Sequence, residues 1–162
     1  MAEKTKGLKC IAAVRIRGTV SASMQARETL QMLRLTRNNY AVLVDNRPSF
    51  LGMIRAVQDY VTYGEVSNET VSALVKKKAR LVGDKELTDE YANRVGYSSL
   101  KELADAIYSC QVEYWKLPSI QPFFRLHPPT KGFKGKIKRS FGSGGELGYR
   151  GDKINELLNR ML

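Results

Sequence analysis

The sequence predicts an α+β fold, and three observations carry that prediction. The first 66 residues alternate β-forming runs with helically spaced apolar residues, in the order strand, helix, strand, helix, strand. Residues 67–120 switch to helical spacing alone. Residues 121–162 hold a basic stretch rich in glycine and aromatics, then one more amphipathic run. The expected organisation is a core over residues 1–66, a helical insertion over 67–120, and a basic arm with a closing helix over 121–162.

In the core, residues 9–17 read KCIAAVRIR. Ile11, Val14 and Ile16 are strand formers, and alternation after Ala13 puts Val14 and Ile16 toward the core with Arg15 and Arg17 on the other face. After a turn over 18–23, a helix is expected over 24–34, capped by Ser21 or Ser23. Ala26, Leu30 and Leu33 face inward, while Arg27 and Arg34 lie on exposed flanks. Arg37, Asn38 and Asn39 fall in the loop that follows. YAVLVD over 40–45 is a buried strand. Pro48 suits the first position of a second helix over 48–59, with Phe50, Ile54 and Val57 as its inner stripe. Gly52 lies mid-helix, where it costs about 1 kcal/mol relative to Ala, so a close approach to another backbone or to RNA is expected there. YVTYGEV over 60–66 is the third strand. The pattern predicts a small open sheet with both helices on one face and the other face free for a partner.

The insertion opens with a helix carrying Val71, Leu74 and Val75 on one face. Lys76, Lys77 and Lys78 stand at its end, where cations favour the helix dipole and a solvated surface is the simplest expectation. Thr88 and Asp89 open a short helix that stops near Gly96. Ser99 and Glu102 form a capping box for a further helix with the stripe Leu100, Leu103 and Ile107. The chain then bends around Trp115 and Pro118. After the arm, Asp152 is expected to cap a last helix whose face is Ile154, Leu157, Leu158 and Met161.

Charge points to the partner. The net charge is +11 over 162 residues. Residues 1–60 hold ten Lys/Arg against four Asp/Glu, residues 61–120 eight against nine, and residues 121–162 nine against three. Such segregation fits a polyanion. The arm, PFFRLHPPTKGFKGKIKRSFGSGGELGYR over 122–150, carries Arg125, Lys131, Lys134, Lys136, Lys138, Arg139 and Arg150, with aromatics interleaved and only Glu146 opposing. Ordering each residue costs about 1–2 kcal/mol of backbone entropy, so the arm is expected to order on RNA rather than alone. Glu146 is expected to position a neighbouring cation such as Arg150. Aromatics among cations in a flexible segment suit folded RNA better than DNA, and no recognition helix, zinc finger or basic zipper is present. A membrane surface ranks lower, because glycine and proline exclude the amphipathic helix it usually takes.

Catalysis finds little support. His127 is the single histidine and is followed by Pro128 and Pro129, with no nucleophile motif nearby. No His/Cys spacing suits a metal, and no cofactor or small-molecule substrate is expected. Gly142, Gly144, Gly145 and Gly148 miss the dinucleotide fingerprint, since Leu147 stands where its third glycine belongs. These glycines are expected to serve close phosphate approach or positive-φ turns. Cys10, in an apolar run, and Cys110, on an apolar helix face, read as reduced core thiols. No stretch approaches the ~20 apolar residues of a membrane span, and residues 1–9 lack a signal-peptide core, so a cytoplasmic location is expected.

The runs AAVRIRGTVSASMQARETLQMLRL and VLVDNRPSFLGMIRAVQDYVTYGEV, with HPP followed by GGELGYRG, carry a resemblance along essentially the whole chain. The sequence resembles the large-subunit ribosomal protein L-thirty family, archaeal type, whose eukaryotic counterpart is L-seven. The resemblance implies a βαβαβ core with a three-stranded antiparallel sheet, related to the ferredoxin-like fold. It implies a non-catalytic constituent of the large subunit that binds large-subunit ribosomal RNA, one copy per ribosome, beside neighbouring ribosomal proteins. RNA contact at the end of the first strand and start of the first helix maps to Arg15, Arg17, Ser21 and Arg27, with Arg34, Arg37 and Asn38 beyond them. The arm cations are assigned from charge alone. The alternative from another class is a free-standing nucleic-acid-binding regulator or RNA chaperone.

Overall fold

The computed structural model describes residues 7–162. A six-stranded sheet has the order β4-β2-β1-β3-β6-β5. Its strands are β1 (Cys10–Arg15), β2 (Tyr40–Asp45), β3 (Val61–Glu65), β4 (Phe124–Arg125), β5 (Lys136–Ser140) and β6 (Gly145–Tyr149). Among the described residues six α-helices accompany it: α1 (Met24–Met32), α2 (Pro48–Ala56), α3 (Asn68–Lys78), α4 (Asp89–Val95), α5 (Leu100–Tyr108) and α6 (Ile154–Met161). Central β1 pairs antiparallel with both β2 and β3. β4 pairs antiparallel with β2, and β6 pairs parallel with β3.

Both faces of the sheet are covered, which corrects the expectation of one free face. On one side Ile11 and Ala13 of β1 cluster with Leu30 and Leu33, around α1, and with Ile54 and Val57, around α2. On the other, Cys10, Ala12 and Val14 cluster with Leu74 and Val75 of α3, Leu103 and Ile107 of α5, and Leu157 and Leu158 of α6. The reason lies in β1 itself. Polar alternation starts only at Val14; Cys10 to Val14 are apolar at both parities, and such a strand has to be covered twice.

The arm is also more ordered than its composition suggests. Phe124 is fully buried and stacks on Tyr114, with ring centroids 4.6 Å apart. Burial of a phenyl group is worth about 1.5–3 kcal/mol, so this aromatic belongs to the core and not to a nucleic acid. β6 extends the sheet beside β3, and Arg150 N–H donates to the Tyr63 carbonyl at 2.9 Å. The two backbones come so close that a Cβ on Gly64 would lie 2.1 Å from the Gly151 carbonyl oxygen. Likewise a Cβ on Gly145 would lie 2.0 Å from the Arg139 carbonyl oxygen. Gly145 therefore serves the protein's own backbone packing, while Gly144 and Gly148 take positive φ (76° and 80°), as expected for turns. Gly52, by contrast, meets nothing within 4 Å, so no intramolecular approach explains it.

Helix ends follow the local chemistry with three differences. Ser23 and Ser67 cap α1 and α3 through their side chains. Ser99 accepts from the Glu102 N–H at 3.3 Å, but the Glu102 carboxylate returns to the Ser98 N–H at 2.6 Å, one residue earlier than a capping box needs. Asp152 makes no side-chain cap; a 3-10 turn at Gly151–Lys153 leads into α6. Asn155 fastens that junction, accepting from Ser67 N–H at 2.8 Å and donating to the Glu65 carbonyl at 3.2 Å. Cys110 lies just past α5 in a positive-φ turn (57°), not on a helix face, and both cysteines are free thiols.

Candidate nucleic-acid interface

Strand register gathers most of the candidate cations at one end of the sheet. β1 ends at Arg15, opposite Val61 at the start of β3, and Val14 faces Ala41 near the start of β2. Tyr40 pairs with Arg125, so β4 ends at the same edge. β6 runs parallel to β3 with Thr62 opposite Gly148, which carries Gly145 beyond the first residue of β3. Lys136 of β5 lies opposite Gly145, and the irregular register keeps Ser140 opposite Leu147. Arg17, the 18–23 turn, Arg37, Asn38, Arg125, Lys136, Lys138 and Arg139 thus share one end.

A hollow of about 590 Å³ opens there, lined by Arg15, Gly18, Thr19, Val20, Arg27, Arg37 and Asn38. Its lining has three arginines and no carboxylate. A hollow of about 720 Å³ toward the start of β1 and the end of β3 is lined in part by Glu65 and Asp152, which makes it the poorer seat for a polyanion. The sequence assignments Arg15, Arg27, Arg37 and Asn38 are therefore brought together, whereas Arg34 is not. It lines a separate small hollow with Met32, Phe50, Trp115 and Pro122. Thr19 and Val20 escaped the sequence reading; the signal available was an apolar residue inside the polar turn GTVSAS.

Two of the assigned arginines are buried and engaged within the protein. Arg15 is 6% exposed. It donates to the Arg17 and Leu35 carbonyls at 3.0 Å each and to Thr19 Oγ1 at 3.2 Å. Burial also pulls its pKa below the ordinary arginine value. Arg150 is buried as well, donating to Thr62 Oγ1 at 2.7 Å and to the Glu146 carboxylate at 2.6 Å. Glu146 does position Arg150, and its second oxygen accepts the Gly135 N–H at 2.7 Å. Both guanidinium groups hold the protein's own backbone and side chains as internal clamps.

The remaining cations divide by partner. Arg17 is half-buried, with its guanidinium 5.7 Å from the Tyr60 ring centroid and a long hydrogen bond to the Asp59 carbonyl. Arg27 is exposed and donates to the Val20 carbonyl at 2.9 Å. Arg125 pairs with Asp84 at 3.1 Å, and Lys134 pairs with Glu156 at 2.5 Å. Lys131 sits in a turn held to the end of α6 by Arg160, which donates to the Thr130 carbonyl at 2.9 Å. Arg37, Asn38, Lys136, Lys138 and Arg139 are exposed, and among the described residues no side-chain hydrogen bond or ion pair engages them. Ser21 is exposed in the turn; Ser23, not Ser21, is the cap. His127 is exposed, and among the described residues no group of three or more His, Cys, Asp or Glu side chains is placed to hold a metal. No helix among them is long and apolar enough to cross a membrane.

Comparison with known proteins places the chain among relatives. A family model described as "Ribosomal protein L30p/L7e" matches residues 11–61. The large ribosomal subunit protein uL30 of Methanopyrus kandleri is 46% identical over 149 residues, covering 91% of this chain and all of that protein. The uL30 of Korarchaeum cryptofilum is 47% identical over 153 residues, covering 94% of each chain. That of Caldivirga maquilingensis is 42% identical over 172 residues, covering 96% of this chain and 93% of the relative.

Proposed function

The chain belongs to the ribosomal protein L30p/L7e family, and on that premise we propose that the basic end of its sheet is where it holds large-subunit ribosomal RNA. The protein is a structural, non-enzymatic constituent of the large ribosomal subunit. Its strand–helix–strand–helix–strand core, residues 1–66, is read as the RNA-binding unit on a ferredoxin-like plan. Residues 67–120 are read as the helical insertion that meets neighbouring ribosomal proteins, and 121–162 as the basic arm and closing helix. One copy sits on each cytoplasmic ribosome in this reading.

The observation that carries the interface is that Arg17, Arg37, Asn38, Lys136, Lys138 and Arg139 lie at one end of the sheet, where Arg37 and Asn38 line a hollow without carboxylates and β5 stands at the sheet edge. Phosphates held by these cations release counterions, and each neutralised phosphate steepens the salt dependence of binding by about 0.7–0.9. Neutralising about six phosphates gives a slope near −5 in log affinity against log salt.

The test uses Lys136→Gln, Lys138→Gln and Arg139→Gln together. All five residues of β5 are exposed, so folding should be unchanged. Filter binding to deproteinised archaeal large-subunit ribosomal RNA should lose about 2–3 from the slope. An unaltered slope removes β5 from the interface. A wild-type protein that binds this RNA with no salt dependence refutes the proposal itself.

A further inference from the structure

The 18–23 turn presents a second kind of chemistry beside the cations. Val20 is 92% exposed and Met24 is 76% exposed. Both would be ordinary surface accidents on a loose loop, but this loop is held from two sides. Arg15 reaches Arg17 O and Thr19 Oγ1 from beneath, and Arg27 reaches the Val20 carbonyl from α1. Ala22 N–H closes the turn on the Thr19 carbonyl at 3.2 Å. Two arginines are thus spent on fixing the backbone that carries one outward valine. Met24 stands three residues before Arg27, on the same helix face. Asn38, on the wall of the hollow, keeps an amide with both donor and acceptor unengaged among the described residues.

Taking the ribosomal RNA reading as its basis, we propose that this hollow receives an unstacked nucleotide of large-subunit ribosomal RNA, with its base face against Val20 in the lining; Met24, exposed four residues on at the start of α1, lies outside the lining and extends the apolar surface. Phosphate chemistry alone does not account for the apolar pair, since a duplex presents only its backbone and grooves. An extruded nucleotide offers what each wall supplies. Its phosphate meets Arg37, its apolar base face meets Val20, and its hydrogen-bonding edge meets Asn38. The hollow is shallow and open to solvent, so the occupant is argued from the chemistry of its walls. The site therefore confers preference for a bulge or internal loop over paired RNA.

The experiment compares two RNAs with the full chain: deproteinised archaeal large-subunit ribosomal RNA, and a perfectly paired RNA duplex, each over a salt series. The variant V20S/M24S should weaken binding to the ribosomal RNA about tenfold at every salt concentration, leaving the salt slope intact. Its duplex binding should stay within twofold of wild type. V20L should retain wild-type affinity, because it keeps an apolar face. R37Q should lower the slope by about 1 on both RNAs. Circular dichroism melting of V20S/M24S should match wild type, as both side chains lie in solvent. The inference is overturned if V20S/M24S binds ribosomal RNA within twofold of wild type, or if it weakens duplex binding equally. Failure of the wild-type protein to bind ribosomal RNA at all would instead reject the underlying function.

Discussion

The turn after β1 and the β5–β6 arm solve one problem with different means. Each region lies at the basic end of the sheet, and each buries one arginine to hold its backbone still. Arg15 is satisfied by two carbonyls and a hydroxyl. Arg150 is satisfied by a hydroxyl, a carbonyl and a carboxylate that is itself buried. The difference follows from what each clamp has to hold. The turn is short and lies between β1 and α1, so neutral acceptors suffice. The arm is glycine-rich and returns from far along the chain to β3, and there Glu146 binds Gly135, Arg150 and, through Arg150, Thr62 together. A basic residue's part in binding is thus decided by what its donors already hold, not by its charge.

Breaking the ionic clamp gives the largest effect. Arg150→Met leaves a buried carboxylate with only the Gly135 N–H, and removal of one partner of such a pair costs about 3–5 kcal/mol. Glu146→Gln keeps an acceptor for Gly135 and should cost less. The double variant E146L/R150M removes both charges and should recover part of the loss. Urea denaturation of the set checks the order. If Arg150→Met unfolds at the wild-type midpoint, the clamp is ornamental and the arm is held by backbone pairing alone.

Much of this molecule is legible in its sequence, because much of it is local. The stripe Ile154, Leu157, Leu158 and Met161 follows helical spacing, and all four are buried. The cap at Ser23, one of the two serines expected there, and the stop of α4 at left-handed Gly96 follow from residue type and spacing. Glu146 stood out as the one acid in a basic run, and its partner lies four residues away. The failures are non-local. The pairing of β6 with β3 joins residues 86 apart through backbone groups, with glycines where strand formers would announce a strand. Arg15 was expected on the face away from α1 and α2, but it shares the parity of Ile11 and Ala13, so it lies on the α1/α2 side and is roofed by the Leu35 carbonyl; alternation alone does not tell which parity meets which layer. The cover over the second face was readable in CIAAV, whose apolar residues leave no parity for solvent.

Loss of the neutral clamp should be milder and should separate fold from binding. Arg15→Met orphans the acceptors at Arg17, Leu35 and Thr19, and unsatisfied buried groups cost about 1–3 kcal/mol. Affinity for ribosomal RNA should fall, because the turn loosens, yet the salt slope should stay, because Arg15 touches no phosphate. A slope reduced by about 1 would instead make Arg15 a direct phosphate ligand.

The smallest effect sharpens the comparison at its solvent edge, where Lys134 pairs with Glu156 at the surface. The hydrogen bond from Lys134 is the main cause holding the Glu156 carboxyl below its ordinary pKa. A depressed acid contributes stability above its unfolded pKa and loses it as pH falls through the folded value. The pair is therefore formed at neutral pH and fails only in the acid range. Both partners lie in water, so Lys134→Gln should leave the denaturation midpoint unchanged at pH 7 while returning Glu156 to an ordinary titration by NMR. The same variant should lower the RNA salt slope by about 1, because phosphate displaces a solvated carboxylate readily. An unchanged slope would leave Lys134 with Glu156 in the bound state and set the boundary of the interface at Lys136.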